Sequence, residues 1–147
     1  MINKTPIILF IFLLTSTLVL AQTIVSTSPE NKKIVLEEYT GIHCTYCPDG
    51  HEIAQSLKDA NPDNIFIINI HTGGYATPSS GEPDFRTSFG DAIAAQSNLT
   101  GYPSGSVNRQ YFSSLSMNGG TAMGRGGWNS ATSQVLNQSA YVNLGVE

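Results

Sequence analysis

Two β-branched runs flank a helical stretch near the start of this chain, and their spacing constrains the fold more than any other feature. "IVLEEYT" (34–40) predicts a strand from Ile34 to Tyr39. "IFIINI" (65–70) is continuously apolar, as a strand buried on both faces of a parallel sheet would be. Between them Ile53, Ala54, Leu57 and Ala60 recur at helical spacing, and Pro48 falls where a first turn tolerates proline. The spacing therefore predicts a helix from Cys44 to Ala60. Two parallel strands joined through a helix imply a right-handed crossover and an α/β layer.

The pattern continues along the chain. "HTGGYATPSSGEP" (71–83) reads as a loop, and a helix is expected from Asp84, as its cap, to Ser97. A short strand follows at Ser106–Arg109. The glycine-rich "SMNGGTAMGRGG" (116–127) reads as a mobile loop, and a last helix is expected over Trp128–Asn137. "AYVNLGVE" alternates as a strand does, so 139–147 is read as the start of a further β segment of a longer chain. The expected class is α/β, with a central, mostly parallel sheet flanked by helices.

The first 21 residues predict export. Lys4 precedes an almost unbroken apolar stretch from Ile7 to Leu20, and Val19 and Ala21 are the small residues a cleavage site requires. That stretch is short against the roughly 20 residues of a spanning helix, so no transmembrane helix is expected in the mature chain. Residues 22–33 read as a linker. The chain is then placed in the periplasm or against the outer membrane, where disulfides persist. Only 12% of residues are charged and the net charge is -4, which gives nucleic acid no basic surface to bind.

Both cysteines lie in "GIHCTYCPDGHE" (41–52), directly after the first strand. On a helix Cys44, Cys47 and His51 fall within about 60° of one another. At the expected helix start, Cys44 would meet free backbone N–H groups that favour its thiolate, the reactive form. Cys47, one turn inside, suits the resolving role. Alternation along the strand puts Glu38 on one face with Ile34 and Leu36; an inward face would bury its carboxyl beneath the cysteines, as a proton relay for Cys47. The other possibility is that Glu37 is buried instead, or that both glutamates reach solvent.

The order strand–CxxC–helix, an acid six residues before Cys44, and the later "TGYPSG" together resemble the thioredoxin superfamily. The longer string "EEYTGIHCTYCPDGH…LTGYPSGSVNR" most resembles exported outer-membrane proteins of the Omp twenty-eight type, over residues 34–138. The resemblance implies a thioredoxin-like fold with the CxxC at the start of its first helix, and a cis-proline at Pro103 opposite the cysteines. It also implies that Tyr102 offers its backbone to an extended substrate segment, with His43 beside Cys44. Thiol–disulfide exchange through Cys44 and Cys47, with protein thiols or disulfides as partners and no cofactor, is the expected activity.

Two further classes remain open. One is a binding or assembly module for envelope proteins, built on the same scaffold without catalysis. The other is a zinc or copper site through Cys44, Cys47 and His51. A purely structural disulfide is weak, since closing so short a loop stabilises by only ~2 kcal/mol.

Overall fold

The first strand is β1, Ile34–Thr40, whose odd and even positions face different surroundings. In the computed structural model, which describes residues 25–145, β1 is an interior strand of a four-stranded sheet ordered β2-β1-β3-β4. The other strands are β2, Ile65–His71, β3, Ser104–Val107, and β4, Met123–Gly124. Three helices complete the layer: α1, Cys47–Ala60, α2, Ser88–Ser97, and α3, Trp128–Leu136. These elements belong to one unit, residues 30–140. The described residues outside it belong to a second unit, in which Asn143 donates to the carbonyls of Ser26 and Ser28 at 2.8 Å each. The expected signal peptide at 1–21 lies outside the described residues.

One face of the sheet carries Ile34, Leu36, Ile65 and Val107 into the main core, against Ala54 of α1 and Trp128, Ala131 and Val135 of α3. A smaller cluster on the other face joins Tyr39 and Ile70 to Ala94 of α2 and to Ala122. Periodicity explains both sides: the inward residues of α1 sit three or four apart, and those of β1 alternate.

The sheet is mixed rather than mostly parallel. β1 pairs with β2 in parallel, but β3 is antiparallel to β1 and β4 is antiparallel to β3. The 14 residues of α1 span about 21 Å, close to the ~23 Å of a seven-residue strand, and return the chain to the start of the sheet. β3 enters instead from the carboxyl end of β1, with Ser104 opposite Tyr39.

β2 is half-covered, against the expectation of burial on both faces. Phe66 is 47% exposed and Ile68 48%. α1 and α3 cover the opposite face, and α2 reaches only the Ile70 end, where Gly90 touches that side chain.

Several boundaries also differ from the sequence-based expectation. α2 starts at Ser88, not Asp84: Thr87 Oγ1 caps it by accepting from the Gly90 N–H at 2.9 Å, while Asp84 is taken by Arg86. That pairing holds the Asp84 carboxyl down to about 2. β3 ends at Val107 because Asn108 and Arg109 both turn to positive φ. The Asn108 side chain then donates to Lys33 O (2.8 Å) and accepts from the Val35 N–H (2.6 Å), closing the end of β1. The segment 116–127 is not a free loop. Its Ala122 and Met123 are buried, β4 lies within it, and the Ala122 N–H donates to Ser97 O. The expected linker 22–33 joins the domain at its end, where Asn31 bridges Ser139 and the Lys32 N–H donates to Gln138 O. Residues 140–145 form no strand.

Candidate functional site

Cys44 and Cys47 are joined by a disulfide with their Cα atoms 5.4 Å apart, at the carboxyl end of β1 where the chain enters α1. The helix begins at Cys47, so Cys44 lies in the preceding turn rather than at the helix start. Pro48 explains the shift. It has no N–H to offer the Cys44 carbonyl, which accepts instead from the Cys47 N–H in a tight turn at 3.2 Å. The Cys44 N–H donates to Gly41 O at 3.0 Å. Cys44 remains 8% exposed and Cys47 only 1%, so Cys44 is the outer member of the pair.

Glu38 is fully buried, as the inward reading of β1 requires. Glu37 is buried as well, an outcome that alternation alone does not give. Its carboxylate accepts from Arg109 Nε at 2.9 and 3.0 Å and from Nη2 at 2.5 Å, on the opposite face of the sheet. Glu38 is paired with His51 rather than with a guanidinium. Its Oε2 shares a 3.0 Å hydrogen bond with His51 Nδ1, and its Oε1 has no hydrogen-bond partner. Oε1 lies against Gly50, whose other near neighbour is the Pro103 ring. Gly50 is thus where α1, the buried acid and the proline meet, one turn after Cys47. The Tyr102–Pro103 bond is cis.

Burial pushes the Glu38 carboxyl above its ordinary 4.5, with the His51 hydrogen bond and charge opposing. Above that ordinary value an unfolded glutamate is ionised while folded Glu38 keeps its proton. The folded chain then binds more protons, so stability is full below 4.5 and falls as pH rises through the raised value. Glu38→Gln, which keeps a hydrogen-bonding group, is expected to remove this loss. Urea unfolding of both proteins between about pH 4 and 8 measures it; a wild-type-minus-variant difference independent of pH would contradict it.

A side chain on Gly50 has nowhere to go. A Cβ there would sit 2.9 Å from Glu38 Oε1 and 2.9 Å from Pro103 Cβ. Gly50→Ala gains at most about 1 kcal/mol of helix propensity. Overpacking costs about 1–3 kcal/mol. Net destabilisation by urea unfolding is expected, and a more stable variant would show the contact to be soft.

The turn around Cys44 is held by the 72–83 loop. Gly41 packs so closely on the Tyr75 carbonyl that a Cβ would collide with backbone, and the His43 N–H donates to that carbonyl at 2.9 Å. The His43 ring is exposed and pairs with Glu82 at 2.9 Å. Tyr102 is half-buried and meets Tyr75 edge-on, with ring centroids 5.7 Å apart. Tyr46, in the cysteine turn, is exposed; Arg125 lies over its ring and pairs with Asp49. Tyr75, Glu82 and Arg125 carried no signal in the sequence, because they reach the site from two loops distant from the cysteines along the chain, 72–83 and 125–127. His51 did carry one. Its place a turn after Cys47 put it on the side of α1 that faces Glu38, whereas the sequence reading gave it only a metal to bind.

His51 is engaged with Glu38, and the cysteine sulfurs are bonded to each other. Among the described residues no three His, Cys, Asp or Glu side chains converge as a metal ion requires. No protein-family model, curated protein or solved structure matches the chain. The disulfide and the buried carboxyl beneath its helix turn are the chemistry at this end of the sheet. No helix among the described residues is long and apolar enough to cross a membrane.

Proposed function

We propose that this chain is an exported, thioredoxin-like protein that exchanges disulfides with protein thiols through Cys44 and Cys47. The observation that carries the reading is a disulfide at the carboxyl end of an interior strand, its inner cysteine buried one turn before Gly50, on which the buried Glu38 carboxyl packs. Support for the thioredoxin-like reading comes from the strand order β2-β1-β3-β4 and from Pro103 packing on Gly50 at the entry to β3. Export, to the periplasm or the outer-membrane surface, rests on the basic, apolar and small-residue pattern of 1–21.

The oxidised pair acts on a substrate dithiol in two steps. A substrate thiolate attacks Cys44 Sγ, the Cys44–Cys47 bond breaks, and Cys47 leaves as a thiolate that takes a proton from Glu38. The second substrate thiolate then attacks its own sulfur in the mixed disulfide and releases Cys44. Two electrons pass from substrate to the cysteine pair, and the reverse sequence reduces a substrate disulfide. Tyr102 and His43, beside the turn, are the contacts for an extended substrate segment.

Reduced protein challenged with glutathione disulfide tests the reading by mass spectrometry. Cys47→Ser is expected to accumulate a stable glutathione adduct on Cys44, while wild type passes through it to the internal disulfide. A Cys44 that stays unmodified in both would leave a non-catalytic binding module for envelope proteins.

A further inference from the structure

We propose that His51 is the proton-relay and positioning residue of this site, carrying protons between solvent and the buried Glu38 carboxyl. The assignment rests on the exchange reading and adds a component to it. Glu38 is wholly buried, so its carboxyl has no surface on bulk water. A cavity of about 240 Å³ lined by Glu38, His51, Gln55, Ile67 and Asn69 opens beside it. The His51 side chain is 42% exposed, and its Nδ1 is 3.0 Å from Glu38 Oε2. The ring therefore has one nitrogen on the acid and its body in water. Thr40 Oγ1 lies 3.4 Å from Nε2 and fixes the ring plane from the same strand that carries Glu38.

The remaining acid oxygen, Oε1, has no hydrogen-bond partner and faces the first turn of α1 at Gly50. Glu38 thus presents one oxygen to His51 and the other toward the helix turn that starts with Cys47. When Cys47 leaves as a thiolate, it takes the Glu38 proton, and His51 returns one to Oε2 from solvent. In the reverse step the Cys47 thiol gives its proton to Glu38, and His51 passes it out. No redox partner beyond the substrate is needed.

The charged and polar groups around His51 are few. Glu38 and Thr40 face it from β1, Glu52 and Gln55 are its helix neighbours, and His71 lies at the end of β2. Burial first, and the His51 charge second, keep the His71 ring below its ordinary value.

Exchange between the protein and glutathione, followed across pH in buffers free of imidazole, tests the relay. His51→Gln is expected to slow closure of the Cys44–Cys47 bond from the mixed disulfide by about 100-fold, the lower end of what a positioned proton-transfer group supplies. Added imidazole should restore much of that rate. Glu38→Gln should show the same loss without rescue, and the double variant no further loss. Alkylation of Cys44 in the reduced protein, which uses neither group, should match wild type and reports that the site is folded. A His51→Gln protein with the wild-type rate and pH profile overturns the relay, as does a loss that is equal at every pH and unrescued by imidazole. A wild-type protein inert toward glutathione sinks the exchange reading itself, and the relay with it.

Discussion

Cys44→Ser is expected to reduce disulfide exchange to the uncatalysed level while leaving the fold intact. A serine hydroxyl is not ionised at neutral pH, so the outer position loses its nucleophile and its electrophilic sulfur together. Cys47 cannot substitute: it is 1% exposed, and its sulfur lies inside the first turn of α1. The stability cost is bounded by the small ring that the disulfide closes, about 2 kcal/mol in the chain-entropy model. The core built from Ile34, Leu36, Ile65 and Val107 is held by its own packing against α1 and α3 and persists. Exchange with glutathione and urea unfolding of the same preparation separate the two effects. Residual exchange in Cys44→Ser would move the nucleophile to Cys47; loss of folding would make the disulfide a staple.

Trp128→Ala is expected to cost about 3–5 kcal/mol, the largest stability effect of any single substitution considered for this chain. Trp128 opens α3 and is completely buried. Its indole Nε1 points to the Met123 carbonyl of β4 at 3.4 Å, and its ring lies over Gly105 of β3, where a Cβ would come within 2.9 Å of that nitrogen. Glycine in a strand interior normally weakens the strand; here it makes the slot that the indole fills. Removing the ring empties the contact among α3, β3 and β4 at once. Domains of ordinary stability hold only about 5–15 kcal/mol, so the variant should unfold at much lower urea and show a broad near-native baseline. A loss below about 1 kcal/mol would mean that the slot collapses without cost.

What the sequence disclosed was whatever is set locally. β1, α1 and β2 are legible because β-branched runs and three-or-four-residue spacing report directly on backbone preference, and alternation put Glu38 on the face of Ile34 and Leu36 while leaving open whether that face was the inward one. The sense of β3 was hidden, since it depends on which end of the sheet the chain occupies after α2, a relation between distant elements. The burial of Glu37 was hidden for a like reason: its guanidinium comes from Arg109, across the sheet and 72 residues away. The helix start moved by three residues because Pro48 frees the Cys44 carbonyl for a tight turn. At the site the cysteines, Glu38 and Pro103 were all in view in the chain, and Gly50, which packs on both Glu38 and Pro103, was not. His51 was seen on the cysteine side of its helix, but its hydrogen bond to Glu38 was not, because that partner lies on the strand beneath the helix.

The reduction potential of the Cys44–Cys47 pair is the most direct test of the central claim. Equilibration against glutathione redox buffers, with the oxidised fraction read by mass, gives it without a substrate being known. Disulfide exchange predicts a value in the span of thiol oxidoreductases, from about −270 to −120 mV. A value below about −300 mV would make the bond an inert structural link and contradict the exchange function.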